Sequence, residues 1–141
     1  MRVRAIIGVG REVIGCAPDL PIPDVIRLLV DNRIGALLVM DGDRISGVLS
    51  ERDIVRCLAE QGSGALEKTA RHLMTADVVT CHPDEPVLDA LGHMTRRRFR
   101  HLPVVEDGRL VGIVSIGDLV KARIEEAERE AESLKEYIRQ A

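Results

Sequence analysis

The chain has 141 residues, 45% of them hydrophobic, and a formal net charge of −3 at pH 7. This length suits one compact domain better than two independent ones, and the slightly acidic balance excludes a broad attraction to nucleic acid or to an anionic membrane surface. Since one Phe, one Tyr and no Trp leave almost no stacking surface for single-stranded nucleic acid, we expect neither nucleic acid nor a membrane as a partner.

The sequence also carries signals about the cellular compartment. Its first eight residues, MRVRAIIG, hold too short an apolar run for a secretory signal, and no stretch of about 18 apolar residues follows. The three cysteines are an odd number and do not form the framework of a small secreted domain, so reduced thiols are expected. These features predict a cytoplasmic protein.

The sequence repeats itself with an offset of 65 residues. Residues 11–55 align without gaps on residues 76–120, and 14 of the 45 positions are identical. Eleven of the other 31 pairs exchange one apolar residue for another, so the hydrophobic pattern repeats as well. Because solenoids generally need about three or more copies, two copies predict a pseudo-twofold pair of units that shares one core.

Each half predicts the element order βαββα. A short β-branched run, at residues 13–14 and again at 78–80, ends at a Cys-x-Pro-Asp turn. Apolar residues then recur at helical spacing over residues 22–29 and 87–94. Two apolar runs with an acidic or glycine turn between them follow each helix and predict hairpins.

Helices are expected directly after Ser50 and Ser115, because these residues follow the hairpins at the position of an N-cap. The first of these helices is expected to span residues 51–61, and the second to run from residue 116 into the tail. The expected domains are a first repeat at 1–64, a connecting helix at 65–74, a second repeat at 75–123 and a C-terminal amphipathic helix at 124–141.

The C-terminal tail has the pattern of a coiled coil. Its apolar residues follow an unbroken 4-3-4-3-4 spacing at Val120, Ile124, Ala127, Ala131, Leu134 and Ile138. A seam this narrow is also compatible with packing on the protein's own surface, and its two alanines weaken it as a free-standing zipper. We favour a homodimer contact, because a long charged helix that leaves its domain needs an apolar partner.

The strongest local motif is Gly-h-h-Ser-x-x-Asp, where h is apolar, at residues 47–53 and 112–118. The Asp falls in the first turn of a helix, where backbone N–H groups and the helix dipole favour an anion. Such a carboxylate can accept hydrogen bonds from a ribose diol, while the Ser hydroxyl can meet a phosphate. The alternative is a simple capping box, which two matched copies make less favoured.

The motif, the hairpin segment at residues 100–105 and the βαββα order together resemble a tandem pair of cystathionine-β-synthase (CBS) domains, also called a Bateman module, over roughly residues 10–123. The resemblance implies an α/β (α+β) fold of two pseudo-twofold-related βαββα repeats packed sheet to sheet, to which the tail adds a long helix. It also implies an adenosine-containing ligand, with AMP, ATP or NAD favoured and S-adenosylmethionine also known in the family, bound in clefts between the repeats.

The resemblance further implies which residues bind this ligand. Asp53 and Asp118 would hold the ribose, and Ser50 and Ser115 would lie beside the phosphates. Each cleft would be crossed, so that one site combines Ser50, Asp53, Val79, Thr80, Arg100, His101 and Pro103. The other would combine Ser115, Asp118, Ile14, Gly15, Gly35, Ala36 and Leu38. The first site is expected to take a charged nucleotide, because Arg100 and His101 align with Gly35 and Ala36.

Other chemistry is less well supported by the sequence. The basic run at residues 96–101 fits a solvated helix terminus or a contact to a mononucleotide phosphate better than a nucleic-acid site. The Cys and His residues have neither metal-ligand spacing nor a clear nucleophile–base pair, so we expect no metal and no catalysis. Gly8-Val9-Gly10 is too short for a dinucleotide fingerprint.

The leading hypothesis is a stand-alone adenine-nucleotide sensor that acts in trans on an unknown client protein. It is expected to form a homodimer through the CBS module and the C-terminal helix. Ligand binding would change the conformation or the dimer, which requires the ligand to prefer one conformation over the other. The competing hypothesis is a structural adaptor that dimerises without a ligand.

Overall fold

The computed structural model describes residues 1–7 and 13–140, and Gly8-Val9-Gly10 lies outside them. The described residues fall into two compact units. The first unit holds residues 13–78, and the second holds residues 1–7 together with 79–140. These units differ from the expected repeats at 1–64 and 75–123, because the connector packs with the first repeat and residues 1–7 pack with the second.

The first unit has the predicted order of elements. Strand β1 pairs in parallel with β2, which pairs antiparallel with β3. β1 begins two residues later than the β-branched run at 13–14 and is only two residues long. A 3-10 turn at Gly62–Glu67 separates the last two helices. The elements are β1 (Gly15–Cys16), α1 (Ile22–Asn32), β2 (Ala36–Asp41), β3 (Arg44–Ser50), α2 (Glu51–Gln61) and α3 (Ala70–Leu73).

The second unit repeats this order except for its first strand. The run at 78–80 is not a strand. In the first unit the Leu38 N–H donates to the Ile14 carbonyl, but the equivalent residue of the second unit is Pro103, which has no N–H. Among the described residues before β4, only Cys81 bridges to Val104. The sheet therefore has two strands, which pair antiparallel. The elements are α4 (Val87–Arg97), β4 (His101–Glu106), β5 (Arg109–Ser115) and α5 (Ile116–Gln140).

Each unit buries its own cluster of apolar side chains. In the first unit the cluster joins Val25 of α1 to Leu37 and Leu49 of the hairpin. In the second unit it joins Met94 of α4 to Leu102 of β4, together with other residues. Within each unit, the apolar stripe of the first long helix packs on the hairpin that follows it.

Residues 1–7 hold in the second unit the position that residues 68–74 hold in the first. Both segments make the same three backbone hydrogen bonds to the turn before the first long helix. In the second unit these are Val3 N–H to Glu85 O (2.9 Å), Arg4 N–H to Pro83 O (2.7 Å) and Val87 N–H to Met1 O (3.0 Å). In the first unit they are Ala70 N–H to Leu20 O (2.9 Å), Arg71 N–H to Pro18 O (2.9 Å) and Ile22 N–H to Lys68 O (3.0 Å).

An ion pair also recurs in the two segments. Arg71 lies 3.0 Å from the Asp19 carboxylate, and Arg4 Nε donates to Asp84 Oδ1 at 3.1 Å. Arg4 also donates to the Glu106 carboxylate. The hydrogen bond from Arg4 holds the pKa of Asp84 below its usual value. Each repeat is therefore completed by the segment that precedes the other repeat in the chain.

The glycine of the first motif is needed for this docking. A Cβ atom on Gly47 would lie 2.8 Å from the Thr75 carbonyl oxygen and 2.8 Å from Met74 Sδ. Since a Cβ contact this short is essentially not tolerated against backbone, Gly47 lets the segment approach the strand closely. A Cβ atom on Gly112 would lie 3.0 Å from Ile7 Cγ2, a contact that a small shift of the Ile7 side chain would relieve.

We predict that residues 1–7 contribute to global stability through Val3. Val3 is 0% exposed, whereas Val30 on α1 is 68% exposed. Val3→Ala removes two buried carbon groups and leaves a cavity, so it should lower the free energy of unfolding by about 2 kcal/mol. Val30→Ala removes the same atoms and should change it by less than about 0.5 kcal/mol. Urea denaturation measures both, and equal effects would show that the segment is not docked.

Candidate functional site

The repeated motif places a serine and a carboxylate at the start of α2 and of α5. Asp53 Oδ2 accepts from the Ser50 backbone N–H at 2.9 Å, and Ser50 Oγ accepts from the Asp53 backbone N–H at 3.3 Å. Asp118 Oδ2 accepts from the Ser115 backbone N–H at 3.0 Å, and Ser115 Oγ accepts from the Asp118 N–H at 3.1 Å. Both helix starts are thus capping boxes. The capping box was the less favoured interpretation of the motif in the sequence.

The capping box uses only part of each carboxylate. Oδ2 makes the bonds to Ser50 and Ser115, whereas a carboxylate has a second oxygen, Oδ1, that can accept further hydrogen bonds. Oδ1 of Asp53 lies 3.8 Å from Arg56, and the Asp53 side chain is 16% exposed. The box therefore fixes the orientation of each carboxylate and leaves an acceptor at a helix start, where the dipole favours negative charge.

The remaining predicted residues of the first unit surround this helix start through their backbones. Ala36 pairs with Ser50 across the hairpin, and Gly15 pairs with Leu38. The Ala36 and Leu38 side chains are buried, at 6% and 0% exposure. The Gly35 carbonyl accepts from the first N–H of α2 at 2.9 Å. Of these four residues, Gly15 is exposed and Gly35 is half-buried, whereas Ala36 and Leu38 are buried.

The second unit adds cationic side chains at the equivalent place. His101 pairs with Ser115 across the hairpin, and the Arg100 carbonyl accepts from the first N–H of α5 at 2.8 Å. The Arg100 side chain is exposed, whereas Pro103 is buried. Arg100 and His101 therefore lie beside the Asp118 helix start of their own unit. Their crossed pairing with Asp53 stays a prediction.

Two further predicted residues precede β4 in the second unit. Val79 packs against the apolar cluster, and Thr80 is exposed. Neither lies in a strand, since only Cys81 bridges to the hairpin. Thr80 is thus the one of the two whose side chain is placed to contact a ligand.

A groove beside Asp53 brings in residues that sequence reasoning missed. It has a volume of about 190 Å³ and lies between α2 and the connector, and its lining includes Arg56, Lys68 and His72. Ligand pockets usually measure about 300–1,000 Å³, so this groove alone is too small to enclose an adenosine ligand. These residues could have been found only by knowing that the connector docks on α2.

Comparison with known proteins decides the family. A sequence model of the CBS domain matches the chain twice, at residues 3–60 and 70–125. The chain belongs to the CBS-domain family. The mitochondrial CBS domain-containing protein CBSX3 of Arabidopsis thaliana is 33% identical over 128 residues, which are 87% of this chain and 62% of that protein. The chain thus spans less than two thirds of this curated relative.

Solved structures of CBS-domain proteins have the same fold. The CBS-domain containing protein ATU1752 from Agrobacterium tumefaciens is 39% identical, with a TM-score of 0.83 over 87% of this chain and 99% of that one. The match supports the predicted α/β class of two repeats and a long last helix. No catalytic family is indicated by these similarities.

Two similar CBS-domain structures contain adenosine ligands. The CBS domain pair of MJ0100, in complex with 5′-methylthioadenosine and S-adenosyl-L-methionine, is 27% identical, with a TM-score of 0.79 over 89% of this chain and 98% of that one. CBSX2 in complex with AMP is 27% identical, with a TM-score of 0.73 over 88% of this chain and 96% of that one. Ligands of the predicted class therefore bind to similar CBS-domain proteins.

The basic run of this CBS-domain chain forms a helix terminus, as predicted. Arg96 and Arg97 lie in the last turn of α4, and Arg98 ends the helix with a left-handed backbone (φ 59°). Arg33 ends α1 in the same way (φ 53°). The cations at the end of α4 complement the negative end of the helix dipole.

Among the described helices, none is long and apolar enough to cross a membrane.

The three cysteines are buried and behave as small apolar residues. Burial raises the pKa of the Cys81 thiol to about 12 and also raises the pKa of Cys16. A thiol with a raised pKa stays protonated near neutral pH and is a poor nucleophile. The structure therefore gives Cys81-His82 no nucleophilic character.

Three side chains with metal-binding atoms meet on the surface of the second unit, namely His82, Asp84 and Glu106. Arg4 donates to both carboxylates, and the Asp84 N–H donates to His82 Nδ1 at 3.0 Å. Both carboxylates and Nδ1 of His82 therefore already have hydrogen-bond partners within the protein. This cluster is explained as the ion-pair network that fastens residues 1–7.

We predict that the serines of the two motifs stabilise the fold as helix caps. Ser50→Ala and Ser115→Ala should each lower the free energy of unfolding by about 1 kcal/mol, because each removes the acceptor for a first-turn N–H. Ser133→Ala, on an exposed part of α5, is the matched control and should change it by less than about 0.5 kcal/mol. Guanidinium denaturation provides the measurement. Motif variants no less stable than the control would contradict the capping assignment.

Proposed function

We propose that this CBS-domain protein is a regulatory binder of an adenosine-containing ligand and that Asp53 and Asp118 accept the ribose hydroxyls. The observation that carries the proposal is the oriented carboxylate at each helix start. Oδ2 is held by the capping box, so Oδ1 is positioned before a ligand arrives. Preorganisation of this kind lowers the entropy lost when the ligand binds.

The adenosine class is supported by the similar CBS-domain structures that contain AMP, 5′-methylthioadenosine or S-adenosyl-L-methionine. A ribose is common to all three molecules, which fits a carboxylate as the recognition group. Arg100 adds a guanidinium suited to a phosphate. We therefore propose AMP, ATP or NAD as the ligand, with the site that uses Arg100 taking the more highly charged one.

The regulatory output is proposed to act on a client protein in trans. A ligand changes what a client recognises only if it binds one conformation of this protein better than another. Cys16 and Cys81, the cysteines whose pKa is raised, are poorly suited to nucleophilic chemistry.

A ligand-free adaptor is the second candidate, and one observation favours it. Gly47 is needed for packing, while Ser50 and Asp53 cap a helix. Each residue that recurs in the motif therefore has a structural role that does not require a ligand. Ser115 and Asp118 likewise cap α5, and Gly112 leaves room for the Ile7 side chain. The two candidates therefore differ only in whether a ligand binds.

Thermal unfolding of nucleotide-free protein separates the two candidates. AMP, ATP, NAD and S-adenosylmethionine are added in turn, after denaturation and refolding have removed any bound ligand. A ligand at 100 times its Kd should stabilise the fold by about 2.7 kcal/mol if it binds only folded protein. A lack of stabilisation by all four ligands would favour the adaptor.

We predict that Asp53→Asn and Asp118→Asn weaken ligand binding without unfolding the protein. Asn keeps one oxygen that can accept the capping hydrogen bond, but it removes the charge from the ribose contact. Since hydrogen bonds to charged groups contribute about 1.5–3 kcal/mol, the affinity of the affected site should fall about tenfold or more. Isothermal titration calorimetry measures this change.

The matched control for these variants is Glu51→Gln, which removes an exposed carboxylate from the same helix turn as Asp53. The affinity of this variant for the ligand should stay within about twofold of that of the parent protein, because an exposed surface charge contributes little to the binding free energy. If ligand binds and neither Asp variant weakens it relative to this control, the ribose assignment is wrong.

A further inference from the structure

The last helix leaves an apolar seam exposed. α5 is anchored to the second unit by Leu119 and Ala122, which are buried. Beyond them Ile124 is 54% exposed, Leu134 is 59% exposed and Ile138 is 64% exposed. Residues 127–140 are all exposed, so the seam does not pack on the protein's own surface.

The anchored face and the seam lie on opposite sides of α5. With the seam residues at heptad positions a and d, Val120 is a d residue and Ile124 an a residue. Leu119 then occupies c and Ala122 occupies f, the positions that point away from a coiled-coil partner. Glu126, also at c, accepts from the N-terminal amine at 3.0 Å. The second unit thus holds the outer face of α5 and leaves the a/d face to solvent.

The charges beside the seam match a second copy of the same helix in parallel orientation. In a parallel pair, each g residue faces the e residue five positions later on the other helix. Arg123 at g would face Glu128 at e, and Glu130 at g would face Lys135 at e. Both pairs are attractive, and symmetry gives each of them twice.

An antiparallel pair of equal overlap would place like charges together. With Ala127 opposite Ala131, Glu128 would face Glu128 of the other copy, and Glu130 would face Glu130. Lys121 would face Lys135. Because like charges across a seam oppose association, this arrangement is disfavoured.

We propose that two copies of this chain associate through α5 as a parallel, in-register, two-stranded coiled coil. The seam is short and contains Ala127 and Ala131, so the association is weak, reversible and sensitive to salt. This proposal does not depend on ligand binding. It would bring the second units of two copies together at the base of α5.

Disulfide trapping tests the orientation directly. The native cysteines are all buried, so a cysteine introduced on the exposed part of α5 is the accessible thiol. Leu134→Cys at position d should form a disulfide-linked dimer with diamide, because residue 134 of each copy lies within bonding distance in a parallel pair. Glu136→Cys at position f is equally exposed and should form little. Equal yields from the two variants would overturn the proposal.

Charge variants test the partner pairs without touching the seam. Glu130→Lys and Lys135→Glu should each lower the association constant about tenfold in sedimentation equilibrium, because two attractive pairs become repulsive. An equimolar mixture of the two variants should recover association, since the lysine introduced in one copy then meets the glutamate introduced in the other. In an antiparallel pair, Lys135→Glu would instead strengthen association by meeting Lys121, and that result would overturn the proposal.

Discussion

The fold and the proposed site both depend on one pair of hydrogen bonds, those between the serine and the aspartate at the start of α2 and α5. These bonds end a strand and begin a helix within one residue, so they set where each helix starts. They also hold Oδ2 of Asp53 and Asp118 on the backbone. A carboxylate that was free to rotate would lose rotamer entropy on binding, whereas this one is already oriented. The hydrogen bonds that cap the two helices therefore also orient the carboxylates of the proposed ligand site.

The glycine of the motif shows how packing and function are combined in each repeat. Gly47 and Gly112 allow close approach of the segments that contain Met74 and Ile7. Each segment comes from the part of the chain that precedes the other repeat, so the two repeats depend on each other through chain connectivity. The motif occurs in both repeats because both need the same packing and helix capping, whether or not a ligand binds. Its repetition is therefore weaker support for ligand binding than the sequence alone suggested.

Much of the fold could be predicted because long elements have strong periodic signals. The helix expected at residues 51–61 is found there, and both hairpins follow their apolar runs. The first strands could not be placed, because two or three β-branched residues do not specify where pairing begins. The docking of residues 1–7 was missed, because these residues show almost no sequence similarity to residues 68–74. When the two segments are aligned at an offset of 67, only Arg4 and Arg71 are identical among the seven pairs. The grouping of Arg56, Lys68 and His72 in one groove depends on the equivalent docking in the first unit.

The proposed ligand site at α5 and the proposed dimer contact lie on separate surfaces, because the motif is at the start of α5 and the exposed seam lies toward its end. The proposed ligand site depends on the carboxylate oxygen that the capping box leaves available. The most direct measurement is a crystal structure of the protein with bound AMP. We expect ribose hydroxyls within hydrogen-bond distance of Oδ1 of Asp53 or Asp118, with Oδ2 still accepting from the serine N–H. A ribose bound elsewhere, with both Oδ1 atoms in solvent, would contradict it.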